Sequence, residues 1–227
     1  MSTAVAPCPR CDGAHPDPEA WLAPLRDGDA HRALEALVSQ WLRPVKLPPL
    51  THATLPQALA VLGPAIEPVL RFNHLREPMP NGDGRWRFAF ENQGVWRASV
   101  DTTDRVTIDG TTAAGTLDEF LLGFVLLELS SGLPVQRLAE AGTRAAVGLR
   151  AVPMLAPWGE LGYGGAQQFF VADGVIASAI DGAEWQINLG AACPRAMERA
   201  QKLLSSSFVV HADRRRRRPE TAPWNLR

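Results

Sequence analysis

A polar reversal between two alternating apolar ribbons constrains this chain more than any other stretch of it. Trp86, Phe88 and Phe90 alternate with Arg85, Arg87 and Ala89, and beyond Glu91-Asn92-Gln93-Gly94 the residues Trp96, Ala98 and Val100 alternate with Arg97 and Ser99. A period of two sends successive side chains to opposite faces of a strand. Asn and Gly between two such runs allow the chain to turn back tightly. The spacing predicts a β-hairpin whose indole and phenyl groups seal one inner face. Arg105–Asp109 reads as a third strand that ends at Asp109-Gly110.

A second β region follows the same logic. The runs Gln167–Ala172, Val175–Ile180 and Glu184–Leu189 are separated by Asp173-Gly174 and Asp181-Gly182. Asp-Gly tolerates the positive φ of hairpin turns, so a three-stranded meander is expected. Val152–Leu155 is expected as an edge strand, and Pro78 to Gly84 as an exposed turn.

Between and around these ribbons the period is helical. Short and longer helices are predicted over Glu19–Arg26 and Ala30–Leu42, the second with Asp29 as its N-cap. Thr54-Leu55-Pro56-Gln57 reads as a capping box for a helix from Leu55 to about Gly63, and Thr116-Leu117-Asp118-Glu119 as another for Leu117–Leu129, stopped by Gly132. Further helices are expected over Pro134–Val147 and Pro194–Leu204. The order helices, strands, helices, strands, helix, with tight turns joining the strands, gives an α+β class: an antiparallel or mixed β-sheet with peripheral helices.

Composition narrows the function. The 227 residues carry 23 Lys+Arg against 24 Asp+Glu, a net charge of −1, which gives no reason to invoke nucleic acid or a membrane surface. No apolar run approaches the roughly 20 residues of a spanning helix. The first ten residues lack the basic start and apolar centre of a secretory signal, and three cysteines cannot build a disulfide framework. A reducing cytoplasm is the expected compartment.

Few residues invite chemistry. Cys8-Pro-Arg-Cys11 has the spacing of half a zinc knuckle; His15 offers a third ligand, and His31 or Cys193 a fourth, while the alternative is two thiols on a loose tail. Asp101, Asp104, Asp109, Asp118 and Glu119 could hold a divalent cation or catalyse hydrolysis, or serve as turn formers and helix caps. The glycine-rich run Gly159 to Gly165 lacks the Lys-Ser/Thr of a phosphate loop. Arg214–Arg218 would attract an acidic partner, but no aromatic stacking platform accompanies it. No catalytic residue, metal ligand or cofactor is assigned on these grounds. Glu91 and Gln93 have no folding role that the pattern requires, so Glu91, Asn92, Gln93, Trp96 and Arg97 are the candidate binding residues, with Trp158 a further possible anchor.

The run Leu55-Pro56-Gln57-Ala58-Leu59, the stretch from Phe88 through Glu91-Asn92-Gln93-Gly94-Val95-Trp96 to Asp101, and Leu117-Asp118-Glu119-Phe120-Leu121-Leu122 with Leu127-Glu128 together resemble the SMI1/KNR4 (SUKH) superfamily. The resemblance spans about 50–205. It departs from the family where many relatives carry Asp-Pro-Pro-Val and this chain reads Asp104-Arg105-Val106-Thr107-Ile108. It implies a SUKH-like α+β domain over 46–210, preceded by a tail and helical extension over 1–45 and followed by a basic tail over 211–227. It also implies protein binding rather than catalysis, since the bacterial members are largely immunity proteins of toxin systems. The leading expectation is a cytoplasmic, non-catalytic module that neutralises a cognate toxin. The alternatives are a regulatory or scaffolding protein without a toxin partner, and a metal-dependent hydrolase.

Overall fold

The computed structural model describes residues 15–71, 73–92, 94, 96–109, 111–141, 149–153, 167–180, 185–204 and 209–211. The N-terminal part is helical: α1 (Glu19–Arg26), α2 (Ala30–Trp41) and α3 (Leu55–Ile66), with a 3-10 turn at Glu67–Val69. Asp29 caps α2 as expected, its carboxylate accepting from Arg32 N at 2.9 Å. The box predicted at Thr54 does not form. Thr54 Oγ1 instead accepts from Thr51 N at 3.0 Å and donates to Pro49 O, so this hydroxyl closes the preceding turn rather than the helix end.

The first sheet runs in the order β1-β2-β3-β4-β5 and is antiparallel throughout. Its strands are β1 (Asn73–Pro80), β2 (Trp86–Glu91), β3 (Arg97–Val100), β4 (Arg105–Ile108) and β5 (Thr111–Thr116). The hairpin, the third strand and the reversal at 91–94 lie where the alternation puts them. Two flanking strands were not legible. In β1 the residues Pro78 to Pro80, expected in a turn, extend the ladder, and only the residues after them turn back, with Asn81 N bonded to Arg85 O at 2.8 Å.

Helix α4 (Leu117–Gly132) follows directly from β5, and here the capping box is real. Thr116 N donates to Glu119 Oε2 at 2.8 Å while Glu119 N reaches Thr116 Oγ1 at 3.5 Å. Thr116→Ala is expected to cost about 1 kcal/mol in urea unfolding, because it orphans a first-turn amide. The helix is apolar around nearly its whole circumference because it is buried on all sides. It packs on α2, on β4 and β5 of the first sheet, and on the second sheet.

That second sheet runs β11-β6-β10-β9-β8-β7, all antiparallel, from β6 (Val135–Ala141), β7 (Arg150–Ala151), β8 (Gln167–Ala172), β9 (Val175–Ile180), β10 (Trp185–Ala191) and β11 (Val209–His211). The helix predicted over Pro134–Val147 is corrected to strand β6 within its described part. The Gln, Arg, Leu, Ala and Glu of this segment are good helix formers. Its place between β10 and β11, with Trp185 to Ala191 laddered against Ala141 to Val135, overrides that weak local preference. The expected edge strand is displaced a little: the ladder holds Arg150–Ala151, and Val152 N bonds Phe169 O at 2.9 Å. Asp181-Gly182, Gly159 to Gly165, Trp158, Cys8, Cys11 and Arg214–Arg218 lie outside the described residues.

Helix α5 (Pro194–Leu203) covers the other face of the second sheet. Phe169, Val171 and Ile176 join the large core around α4, whereas Phe170, Val175, Ala177, Ile187 and Leu189 join a smaller one with Met197 and Ala200 of α5. Burial on both faces explains why Val175–Ile180 is apolar without alternation, while the first sheet, covered on one face only, alternates. Trp21, Leu34, Leu37 and Trp41 of α1 and α2 belong to the large core. Among the described residues no helix is long and apolar enough to cross a membrane.

Candidate functional site

The reversal after β2 is built by backbone geometry. Gly94 sits at φ +76°, a conformation that a side chain would strain, and its N–H bonds Glu91 O at 2.9 Å while Glu91 N bonds Trp96 O at 3.1 Å. Trp96 is sealed beneath α4, edge-on to Phe120 at 6.3 Å and to Phe124 at 6.4 Å between ring centroids. Glu91 is buried as well. Of the five candidate binding residues, therefore, the surface presents Asn92 and Arg97; Trp96 and Glu91 anchor the turn from below, and Gln93 lies outside the described residues.

A bulge decides which neighbours join Arg97. The register of β2 on β3 slips between Arg87 and Ala89, leaving Phe88 as the extra residue. One added residue flips the face of everything beyond it. Phe88 stays in the core against Phe120, ring centroids 5.4 Å apart, but Phe90 turns outward and Glu91 turns inward. The expected inner row of Trp86, Phe88 and Phe90 is thus corrected at Phe90.

Phe90 pairs across the sheet with His74 on one side and Arg97 on the other, so the three lie in a single outer row. The His74 ring stands 5.1 Å from the Phe90 ring, and the Arg76 guanidinium lies over it at 5.3 Å. Exposed Met79 extends the face, with Arg76 reaching its sulfur at 3.4 Å. Further along the sheet His52 stacks on Trp86 at 5.4 Å. The face is an aromatic ring set among cationic groups on a rigid sheet.

Behind it lies a polar core. Glu128 of α4 is fully buried; its carboxyl accepts from Arg71 N at 2.7 Å and pairs with Asn73 Nδ2. Asn73 in turn stands opposite Glu91 on β1 and β2. Burial lifts the Glu128 carboxyl to about 8, against the opposing pull of the Asn73 hydrogen bond. Nothing in a helical apolar run marks such a residue except that it is the one acid past the first turn.

The acidic residues after the hairpin do not converge. Asp101 caps its own turn through Thr103 N and Arg105 N; Asp104, at φ +62°, holds His52 Nδ1 at 3.0 Å; Asp109 holds Arg97 N at 3.0 Å; Glu119 closes the capping box. Asp118 meets His31 Nδ1 at 3.1 Å, and burial raises its carboxyl above the ordinary value despite that contact. Glu35 approaches the same imidazole at 3.7 Å while accepting from Leu47 N at 2.6 Å, so His31 ties α2 to the start of α4. Among the described residues no group of three or more His, Cys, Asp or Glu is arranged to hold a metal. Two of the ligands proposed from sequence do come together, however: His15 Nε2 lies 4.0 Å from Cys193 Sγ. Burial, aided by Arg199, holds the His15 imidazole below its ordinary pKa.

Comparison with protein-family models, with curated proteins and with solved structures gives no match for this chain.

Proposed function

We propose that this chain is a non-catalytic protein-binding module, an immunity protein that neutralises a cognate toxin in the cytoplasm by covering it with the outer face of the first sheet. The observation that carries this reading is the row His74–Phe90–Arg97 with Arg76 stacked above it. Aromatic residues, Met and Arg are the types enriched in protein interfaces and at their energetic centres. They stand here on a sheet braced from behind by Trp96, Phe88 and Phe120, so little ordering is needed on binding. The resemblance of Glu91 to Trp96 and its flanking helices to the SUKH pattern supports the same assignment. The surrounding guanidinium groups suit an acidic partner surface, and association should slow as salt rises.

The test is co-expression with the product of the adjacent reading frame, with complex formation and growth as readouts. Phe90→Ala and Arg97→Glu are each expected to weaken the complex at least tenfold, and their combination to abolish rescue, with far-UV circular dichroism unchanged. Full rescue by the double variant, or no complex with the wild-type chain, would overturn the proposal.

A further inference from the structure

The second sheet carries a cavity that the proposed binding face does not use. About 570 Å³ in volume, it lies between α5 and strands β7 and β8, and it opens to solvent beside Leu203, which is 49% exposed. A volume of that size is typical of small-molecule sites. Its walls are aliphatic: Leu149, Val171 and Ala172 on the sheet side, Ala196, Ala200 and Leu203 on the helix side. Among the described residues no aromatic ring lines it, so nothing there would stack on a nucleobase or another flat ring.

The charges around this cavity are mostly of one sign. Arg150 of β7 and Arg199 and Lys202 of α5 reach it, against the single acid Asp173. Arg150 shares the Glu19 carboxylate with Arg26, which holds it at 2.8 and 3.0 Å, so one acid serves two guanidinium groups. Arg199 and Lys202 are exposed and, among the described residues, have no ion-pair partner, although Glu198 stands four residues before Lys202, the spacing at which such a pair forms on a helix. Lys202 suits the negative end of α5, but Arg199 has no such role, and Arg195 repeats its charge one turn earlier, which disfavours the helix. Cations gathered beside an apolar hollow, one of them at a cost to its own helix, match an anion with an apolar body.

We propose that this cavity binds a single-chain aliphatic anion. The hydrocarbon chain lies between β8 and α5, and the carboxylate or phosphate head meets Arg199 and Lys202 at the mouth, with Arg150 alongside. Chain length sets the affinity through the apolar area removed from water, and the cations select the sign of the head. Fatty acids and alkyl phosphates share this chemistry. The site belongs to the second sheet and takes no residue from the row of His74, Phe90 and Arg97, so either proposal can fail without the other.

Isothermal titration of the full-length chain with dodecanoate, kept below its micelle concentration, is expected to show one saturable site per chain. Dodecyl phosphate should bind within about tenfold of it, butanoate at least tenfold more weakly, and dodecyltrimethylammonium not at all. The double variant Arg199→Ala/Lys202→Ala should bind dodecanoate at least tenfold more weakly; both residues are exposed, so its far-UV circular dichroism should be unchanged. No saturable heat by about 1 mM dodecanoate, at the weak end of the affinity scale, would overturn the proposal. So would equal affinity for the ammonium amphiphile, or an unchanged dissociation constant in the double variant. Sedimentation with phosphatidylglycerol vesicles without uptake of free dodecanoate would overturn it as well, since the cations would then dock a membrane surface rather than hold one chain.

Discussion

Replacing Glu128 with Gln is expected to stabilise the protein above pH 8 and to leave it nearly unchanged below pH 4.5. The buried carboxyl has a folded-state pKa of about 8 against an ordinary value of 4.5. Below pH 4.5 both states hold the proton and the group favours neither. Between 4.5 and 8 folding must take up a proton, so this group's contribution to stability falls steadily as pH rises, and it levels off above 8. At about 1.4 kcal/mol per pH unit the accumulated cost approaches 5 kcal/mol as a ceiling. The neutral acid has a ready partner: Asn73 Oδ1 is buried without a hydrogen bond, and exchanging the two ends of that amide lets the acid O–H donate to it while Arg71 N keeps its acceptor. Gln has the same shape and the same donor–acceptor pattern as that neutral acid. Urea unfolding of both proteins at pH 5, 7 and 9 should therefore show a gap that widens with pH. Glu128→Ala should instead lie about 3 kcal/mol below Glu128→Gln at every pH, since it strands Arg71 N and Asn73 and opens a cavity. A pH-independent gap between wild type and Glu128→Gln would show that the carboxyl is ionised inside the fold.

What could be read from the residues follows from which forces are local. The hairpin, the Asp173-Gly174 turn and the α4 capping box rest on contacts between near neighbours, and they are where the sequence puts them. Pro134–Val147 was misread because its helix-forming residues say nothing of the two strands that enclose β6. The box at Thr54 fails because its hydroxyl oxygen accepts from Thr51 N instead of from a first-turn amide. The candidate face was half legible. Arg97 and the turn were found, but Phe90 was assigned inward, since a bulge centred on Phe88 leaves no mark in an alternating run. The residues alone mark His74 as a surface or satisfied histidine and do not join it or Arg76 to this face, because β1 carries two prolines and an irregular register between Leu75 and Met79. Glu128 stands out as the one acid past the first turn of an apolar helix. His15 and Cys193, 178 residues apart, could be offered as ligands, but only the fold brings them into contact.

Gly190→Ala is expected to cost several kcal/mol for a single added methyl group. The glycine lies in β10 where the strand crosses under the end of α4, and a Cβ there would stand 2.4 Å from Leu129 O and 2.8 Å from Ser130 O. Both neighbours are backbone atoms of a helix wedged between two sheets, so no side chain can swing aside to make room. Overpacking of a rigid core costs about 1–3 kcal/mol where side chains yield; against backbone the loss should reach at least 3 kcal/mol, a fall of roughly 6–12 °C in melting temperature for a chain of this size. Truncating Leu129 to Ala should bring no relief, because the obstruction is its carbonyl and not its isobutyl group; a double-mutant cycle should show no favourable coupling between the two sites. If Gly190→Ala lost less than about 1 kcal/mol, α4 would have to slide freely over the second sheet. Trp96 would then lose its fixed roof of Phe120 and Phe124, and with it the rigid support on which the outward row of His74, Phe90 and Arg97 depends.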